Sequence, residues 1–437
     1  MILPEYVRHC LDALEDAGFA AYCVGGCVRD ACLGLTPHDY DICTSALPEE
    51  TEAVFSHRKL VLAGKKHGTV GVVFDKDVVE ITTFRTEGDY LDNRHPEWVE
   101  FVPEIEKDLA RRDFTVNAMA WSPTRGFADP FGGREDLKNG ILRAVGDPPQ
   151  RFREDALRIL RGLRFAVRFG LTIEDATRQA MDAEKHRMDS LARERVFDEL
   201  NTLLTSRLTA AELVSFGPIL AAVIPELTPM LGFQQHTVHH IHDVFTHTAL
   251  VVEAVPSQPV LRWAALLHDV GKPRSFTLDE SGCGHFYGHA QVSAEMADQI
   301  LHRLKVPTQL REQAVFLIQK HMAPLEPDKK LLRRRLAQHG WDAVQDLLLL
   351  QEADVAGTGT RDDGDTFLRI RQILAQIREE DSCLSLKDLA VNGRHLMELG
   401  LRGKEIGQTL NRLLELVIDE QLPNQQAPLL AYVRERR

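Results

Sequence analysis

Asp39 and Asp41 stand one residue apart in "PHDYDICTS", and residues spaced i, i+2 on a strand point to one face. Glu80 falls mid-strand in "VVEITTF", where a charge is not normally buried without a partner. Three carboxylates on adjacent strands repel one another unless a divalent cation neutralises them. With Mg2+ such a set suits two-metal phosphoryl transfer, which activates an attacking hydroxyl and steadies a leaving pyrophosphate. Gly25 and Gly26 stand just before a short helical pattern, "CVRDACLGL". There the backbone N–H groups can face a triphosphate, with Arg29 one turn in. A D-x-D pair alone is more often a solvated turn, and Gly-Gly alone a capped helix. The combination, in this order, favours chemistry.

Two further groups stand out. On a helix Asp155 and Arg158 are i, i+3 neighbours and share a face, with Arg161 and Arg164 continuing it; taken alone, such a pair is an ordinary surface ion pair. Histidines concentrate in "HHIHDVFTHTAL", "LLHDVGKP", "HFYGHAQ" and "QKHM". A single histidine on a helix is usually structural. The adjacent His268 and Asp269 inside an apolar helical pattern are harder to explain that way. Imidazole with carboxylate suits Mn, Ni, Co or Mg, and the lack of nearby cysteine argues against structural zinc.

The elements that must position these residues are of two kinds. Residues 4–17 have helical spacing, "AAYCVGG" reads as a short buried strand, and Asp75-Lys76-Asp77 joins two strands of a hairpin. From about residue 150 amphipathic helical patterns carry the chain to its end. The fold class is therefore an α/β head followed by an all-α remainder. Boundaries are expected at "GDPPQ", near residue 235, and in the Gly/Thr/Asp-rich "GTGTRDDGD". They divide the chain into a head (1–145), neck and body (146–234), a histidine-rich domain (235–360) and a helical tail (361–437).

The 437 residues provide ample core for several domains. Neither a signal segment nor an apolar run long enough for a bilayer is present. Seven cysteines without a C-x-x-C pattern suggest reduced thiols and a cytoplasmic setting. Cys10, Cys23, Cys27 and Cys32 read as small core residues. A formal charge of −13 argues mildly against a nucleic-acid partner. Charge is local, however: seven arginines lie between Arg143 and Arg168, and Lys329, Lys330 and Arg333 to Arg335 form a second basic cluster.

"GGCVRD" followed by "DYDI" resembles the signature of the class II template-independent nucleotidyltransferases of the polymerase-β superfamily, which include bacterial CCA-adding enzymes and poly(A) polymerases. "DLARRDFTVNAMA" (108–120) and "REDALRILRGLRFAVRFG" (153–170) are similar to the second motif and the neck helix of that family. The resemblance implies a polymerase-β-like head in which Asp39 and Asp41 hold Mg2+ and Glu80 assists. It also implies nucleotide contacts from Gly25, Gly26, Arg29, Arg111, Arg112, Asp113 and Asn117. Asp155 and Arg158 would present a donor–acceptor edge to the incoming base, protein replacing template, with Arg161 and Arg164 holding phosphates. Such an edge suits C and A, which both place an exocyclic amine beside a ring nitrogen.

The segment 82–102, with Asp92-Asn93-Arg94-His95, resembles the loop of family members that add the terminal A, though a plain surface loop has the same composition. The tail segment "LAVNGRHLMELGLRGKEIG" has His395 where the family more often has Asp, and no function is carried over from it. The histidine region looks like an HD-domain phosphohydrolase module. By resemblance its core ligands are His247, His268 and Asp269, completed by His289, His321 and Asp354, around Ni2+, Mn2+ or Mg2+. Some bacterial CCA-adding enzymes use such a module on phosphomonoesters or 2′,3′-cyclic phosphates, while in others it is degenerate and supports tRNA. The expected activity is addition of C, C and A to tRNA from CTP and ATP. The alternatives are a poly(A) polymerase, a metal-dependent HD phosphohydrolase with a vestigial head, and a non-catalytic RNA-binding protein.

Overall fold

The computed structural model describes residues 1–87, 99–237, 240–359, 364–380 and 382–436. The segment Asp92-Asn93-Arg94-His95, and with it most of the loop expected to serve A addition, lies outside the described residues. The chain forms two compact units, one of residues 1–208 and 215–225, the other of 209–214 and 226–437.

The first unit opens with α1 (Glu5–Asp16), β1 (Ala21–Val24), α2 (Gly26–Cys32), β2 (Asp41–Thr44) and α3 (Pro48–Val54). Next come β3 (Leu60–Val61), β4 (Thr69–Phe74), β5 (Asp77–Thr83), β6 (Arg85–Glu87) and β7 (Val99–Phe101). After α4 (Ile105–Ala110) follow β8 (Ala120–Ser122), β9 (Gly126–Ala128) and α5 (Gly133–Asn139). Seven strands form one mixed sheet in the order β3-β4-β5-β2-β1-β8-β9. Within it β2 runs parallel to β5, with Ile42 opposite Ile81, and antiparallel to β1. Val24, Cys43, Phe84, Leu109, Ala118 and Ala120 bury one core against this sheet. Cys10, Cys23 and Cys27 are buried as expected, whereas Cys32, at the exposed end of α2, is not.

The helical part of this unit contains α6 (Pro148–Glu154), α7 (Leu157–Phe169), α8 (Asp175–Glu184) and α9 (Arg193–Leu204). Gly162 permits the close approach of α7: a Cβ there would stand 2.3 Å from Met181 Cε and 2.9 Å from Phe114 Cζ. α10 (Ala210–Leu220) is divided between the two units.

The second unit is helical: α11 (Val244–Ala254), α12 (Pro259–Leu267), α13 (Lys272–Ser275), α14 (His289–Arg303), α15 (Thr308–Lys320), α16 (Lys329–His339) and α17 (Trp341–Gly357). It closes with α18 (Gly364–Glu379), α19 (Gly393–Glu398), α20 (Lys404–Ile418) and α21 (Gln426–Glu435). Leu389, Val391, Leu396, Leu413 and Leu429 make a separate core at the tail. His395 has a local role there. Its Nδ1 accepts from the N–H of Asn392, which in turn caps α19. Among the described residues no helix is long and apolar enough to cross a membrane.

The second basic cluster is largely paired with carboxylates. Lys329 pairs with Glu380 at 2.8 Å, Arg333 with Glu420 at 2.8 Å and Arg334 with Asp419 at 2.7 Å. Lys330 also faces Asp419 at 3.4 Å, so most of the cluster's charge is paired within the unit.

Candidate functional site

The first constellation sits where β1 ends. Val24 pairs with Asp41 across the antiparallel ladder, so Asp41 lies beside the glycine turn that follows Val24. In the parallel ladder the residue before Ile81 is Glu80, so Glu80 neighbours Asp41 on the same face. Negative charges gather here. Desolvation, together with Glu80 and Asp39, raises the carboxyl of Asp41 above its ordinary value, while Arg112 opposes the rise.

Two sequence expectations need correction. Asp39 is not on the strand: β2 begins at Asp41, because its partner β1 ends at Val24 where the turn begins. Glu80 is exposed on the open face of β5, not buried mid-strand. Moreover, Asp39, Asp41 and Glu80 are not among the groups of three whose ligand atoms lie within 4.8 Å of one another.

Gly25 has φ 68°, a left-handed conformation that disfavours a side chain, and a Cβ there would lie 2.7 Å from Arg112 Nη1. The glycine thus lets a guanidinium reach the turn. That guanidinium is anchored from behind by Asp108, which the sequence reading passed over. Asp108 is fully buried, accepts from Arg111 at 2.9 Å and Arg112 at 3.3 Å, and bonds the N–H of Arg85. Burial works to raise its carboxyl, yet the two arginines hold it below the usual range. The only signal in sequence is its position, one turn before the Arg-Arg pair.

Gly26 opens α2 with room around it, and Arg29 does not reach outward. It is buried, donates to Asn117 Oδ1 at 2.6 Å and to Asp30 at 2.7 Å, and lies 4.2 Å from the centre of the Phe169 ring. Asn117 passes the chain of bonds on to Asp113 at 3.1 Å, and Arg161 Nε donates to Asp113 at 2.9 Å. Arg164 is fixed by Glu199 at 2.6 Å. Arg29 and Arg161 therefore brace the head against the neck helix, and Arg164 ties that helix to α9. A buried guanidinium needs a carboxylate, and each has found one.

Burial alone would raise the carboxyl of Asp113, yet Arg161 and Asn117 hold it at about 2, below its ordinary 3.8. A lowered carboxylate stabilises the fold above its unfolded pKa and loses that effect as pH falls through the folded one. Asp113→Asn should therefore cost about 2 kcal/mol at neutral pH, the difference from the parent shrinking between about pH 4 and about pH 2. Melting curves of the two proteins at several pH values check this; a gap independent of pH would contradict it.

The neck differs from expectation in one respect. Asp155 and Arg158 do not share a helix face, because α6 ends at Glu154 and α7 starts afresh at Leu157. Asp155 is extended between them, with φ −144°. Its Oδ1 accepts from the N–H of Leu157 at 3.0 Å and its Oδ2 from Arg195 at 3.1 Å. Arg158 pairs instead with Glu154 at 2.8 Å and donates to the carbonyls of Arg151 and Arg111. Glu154 is the second residue that sequence reasoning missed.

The histidine constellation belongs to the second unit, and the structure brings all six expected residues together. His247 Nε2 lies 3.0 Å from Asp354 Oδ1, His268 Nε2 3.2 Å from Asp269 Oδ2, and His289 Nε2 3.2 Å from His321 Nε2. Five of the six are more than nine-tenths buried, Asp354 being the exception. The helix ends explain the arrangement. His268 follows α12, His321 follows α15 and His289 starts α14, and each turns Nδ1 onto the carbonyl three residues back: Ala265 at 2.8 Å, Ile318 at 2.6 Å and Phe286 at 2.8 Å. The last turns of α12 and α15 leave the carbonyls of Ala265 and Ile318 open for this. The bonds leave the Nε2 atoms facing inward, a common way of orienting metal-binding imidazoles.

Burial disfavours charge on His268, but Asp269 and Asp354 raise it to about 10, whereas burial and His268 push His321 down to about 4. Lys272 adds an ammonium 2.8 Å from Asp269 Oδ2 and 2.9 Å from Gln235 Oε1. The cluster opens on a cleft of about 790 Å3 that also carries His285, Phe286 and Tyr287. An N/O donor set converging from four helix ends and α17 fits a divalent first-row cation.

Comparison with known proteins supports the transferase head and the helical remainder. Residues 21–143 match the Poly A polymerase head domain, 170–231 a family described as "Probable RNA and SrmB- binding site of polymerase A", and 279–433 tRNA nucleotidyltransferase domain 2. The CCA-adding enzyme of Streptococcus thermophilus is 34% identical over 97% of the chain and 95% of its own length. That of Bacillus velezensis is 32% identical over 95% and 93%. Among solved structures, Bacillus stearothermophilus CCA-adding enzyme in complex with CTP covers 100% of this chain and 98% of its own, with TM-score 0.70 and 27% identity. The Thermotoga maritima enzyme complexed with tRNA shares the fold, with TM-score 0.63 at 20% identity. With the similarity running unbroken through head, neck and tail, the chain belongs to the CCA-adding enzymes.

Proposed function

We propose that this protein adds C, C and A to the 3′ end of tRNA, taking the nucleotides from CTP and ATP. The observation that carries the reading is the strand register, which sets Asp41 beside both Glu80 and the Gly25 turn while Arg112 reaches the same turn. Asp41 beside Glu80 in the register, with Asp39 just before the strand, gathers negative charge, and the Asp41 carboxyl, raised by burial and by these two neighbours, suits a divalent cation. Mg2+ held by Asp39 and Asp41, with Glu80 beside them, would supply two-metal activation of the primer hydroxyl and charge neutralisation of the pyrophosphate. The chain's own residues do the rest. Gly25 and Gly26 keep the turn open to the triphosphate, Arg112 offers it a positive charge, and Asp108, also paired with Arg111, holds Arg112 in place. The buried Arg29–Asn117–Asp113–Arg161 chain fixes the neck against the head.

Asp155 and Arg158 present the base-reading edge in this account, Arg158 being aimed by Glu154. Asp155→Ala should lower the preference for CTP over UTP at least tenfold in kcat/KM, since one side of the edge is gone. Asp155 also caps α7, so loss of its side chain costs about 1 kcal/mol of stability regardless. Asp155→Asn, which keeps an acceptor for Leu157 N–H but alters the edge, separates the two effects. An unchanged ratio in both variants would leave Asp155 as a cap and a partner of Arg195.

The reaction is tested by supplying a tRNA that lacks its terminal CCA with each nucleoside triphosphate in turn. Incorporation of C and A, and not of U or G, is expected.

The histidine cluster is read as a working metal site of HD type that hydrolyses phosphate esters. What supports it is the convergence of four imidazoles and two carboxylates whose inward atoms lack enough donors of their own. A bound Ni2+, Mn2+ or Mg2+ would supply an activated water for attack on phosphorus. Lys272, on the cleft wall, would receive the phosphate charge. A 2′,3′-cyclic phosphate at a damaged tRNA end blocks extension, so hydrolysis here would serve the transferase.

A further inference from the structure

We propose that Asp279, Cys283 and His285 form a separate cation site, on a hairpin of the second unit, that takes a thiophilic divalent ion of the Zn2+ or Co2+ kind. Thr277–Leu278 and Gly284–His285 pair as antiparallel strands, with Leu278 opposite Gly284. The register continues one step into the turn, where the N–H of Asp279 donates to the carbonyl of Cys283 at 3.0 Å. Asp279 therefore stands across from Cys283, while Cys283 and His285, spaced i, i+2, point to one face. The ligand atoms of all three lie within 4.8 Å of one another. None of them belongs to the histidine cluster.

The two oxygens of Asp279 have different tasks. Oδ1 accepts from the N–H and the hydroxyl of Ser281 and from the N–H of Cys283, at 2.9, 2.6 and 3.0 Å, which fixes the carboxylate. Oδ2 meets only His285 Nε2, at 2.8 Å. The other nitrogen of that ring, Nδ1, lies 3.3 Å from the Tyr287 hydroxyl, and the two rings stack at 5.2 Å. With the hydrogen of the ring on Nδ1, Nε2 presents a lone pair to Oδ2, and the two acceptors then need a cation between them. Cys283 Sγ has only a weak contact, 3.9 Å to the carbonyl of Gly284, and is free to bind. The hairpin itself is held firmly: the N–H of Gly284 donates to the carbonyl of His236 at 2.7 Å, and a Cβ at Gly284 would collide with the carbonyl of Gln235. Sulfur decides the choice of ion. The histidine cluster offers nitrogen and oxygen alone, whereas a thiolate with one imidazole and one carboxylate favours Zn2+ or Co2+ over Mg2+ or Mn2+. Three protein ligands leave the fourth tetrahedral position open. Cys283 and His285 line the cleft of the histidine cluster, so that position is available to water or to an anion there.

The thiolate gives the site its own signal. The full chain, reduced and stripped of metal, is titrated with Co2+, and the near-ultraviolet thiolate-to-Co2+ charge-transfer band is recorded; ions held by nitrogen and oxygen do not produce it. The band is expected in the unaltered protein and in His268→Ala, and Zn2+ should displace it. Cys283→Ser should abolish it, and His285→Gln should weaken Co2+ binding, read from the midpoint of the same band, by about tenfold or more. These side chains are partly exposed, so the variants should melt close to the parent protein. A measurement without substitution gives a second check: Zn2+ should slow alkylation of Cys283, followed by mass spectrometry, and leave that of the exposed Cys32 unchanged. Absence of the band in the unaltered protein, a band that survives Cys283→Ser, or alkylation of Cys283 indifferent to Zn2+ overturns the proposal. None of these outcomes bears on the histidine cluster.

Discussion

Asp41→Ala should lose at least three orders of magnitude in nucleotide addition while melting close to the parent protein. The side chain is at the exposed start of a strand, so its removal opens no cavity. What is lost is one of the carboxylates that hold the ions lowering the barrier. A tenfold loss corresponds to about 1.4 kcal/mol, so three orders equal about 4 kcal/mol of transition-state stabilisation, a reasonable share for a metal ligand. Asp39→Ala should behave alike, and tRNA affinity should remain near normal in both. Single-turnover addition with saturating Mg2+ is the assay. Near-normal turnover in either variant would mean that the ions are held elsewhere.

His268→Ala should abolish hydrolysis of phosphomonoesters and 2′,3′-cyclic phosphates and leave CCA addition intact. The two constellations share no residue and belong to different compact units. His268 is fully buried and touches His247, Asp269 and Asp354, so its loss should remove at least 10²-fold in hydrolysis, by analogy with the effect of losing metal-orienting groups. A fall in the melting temperature is also expected from the cavity. Cyclic nucleotide and phosphomonoester are each tested with Ni2+, Mn2+ and Mg2+. Absence of hydrolysis by the unaltered protein with every metal, together with no bound metal, would make the cluster scaffold.

Much of this was legible in the sequence, for identifiable reasons. The hairpin around Asp75 to Asp77, the short strand before Gly25 and the change from strands to helices near residue 150 follow from local periodicity, which packing did not override. The six residues of the cluster were named by resemblance to an HD-domain module, with the His268–Asp269 pair standing out by type inside an apolar helical pattern. Hydrogen-bond partners were less accessible. Nothing local reveals that Asp108 anchors Arg112, that Glu154 rather than Asp155 takes Arg158, or that Arg29 is buried beside Asn117, 88 residues on. Such pairings depend on where helices end. The break at Asp155 also invalidated a helix-face argument whose spacing was otherwise sound.

The central claim is tested most directly by the lengths of the products made on a tRNA that lacks its CCA end, resolved to single nucleotides. The account predicts growth by two with CTP alone, by three with CTP and ATP together, and then arrest. A long A tail with ATP alone, or no extension under any condition, would contradict it.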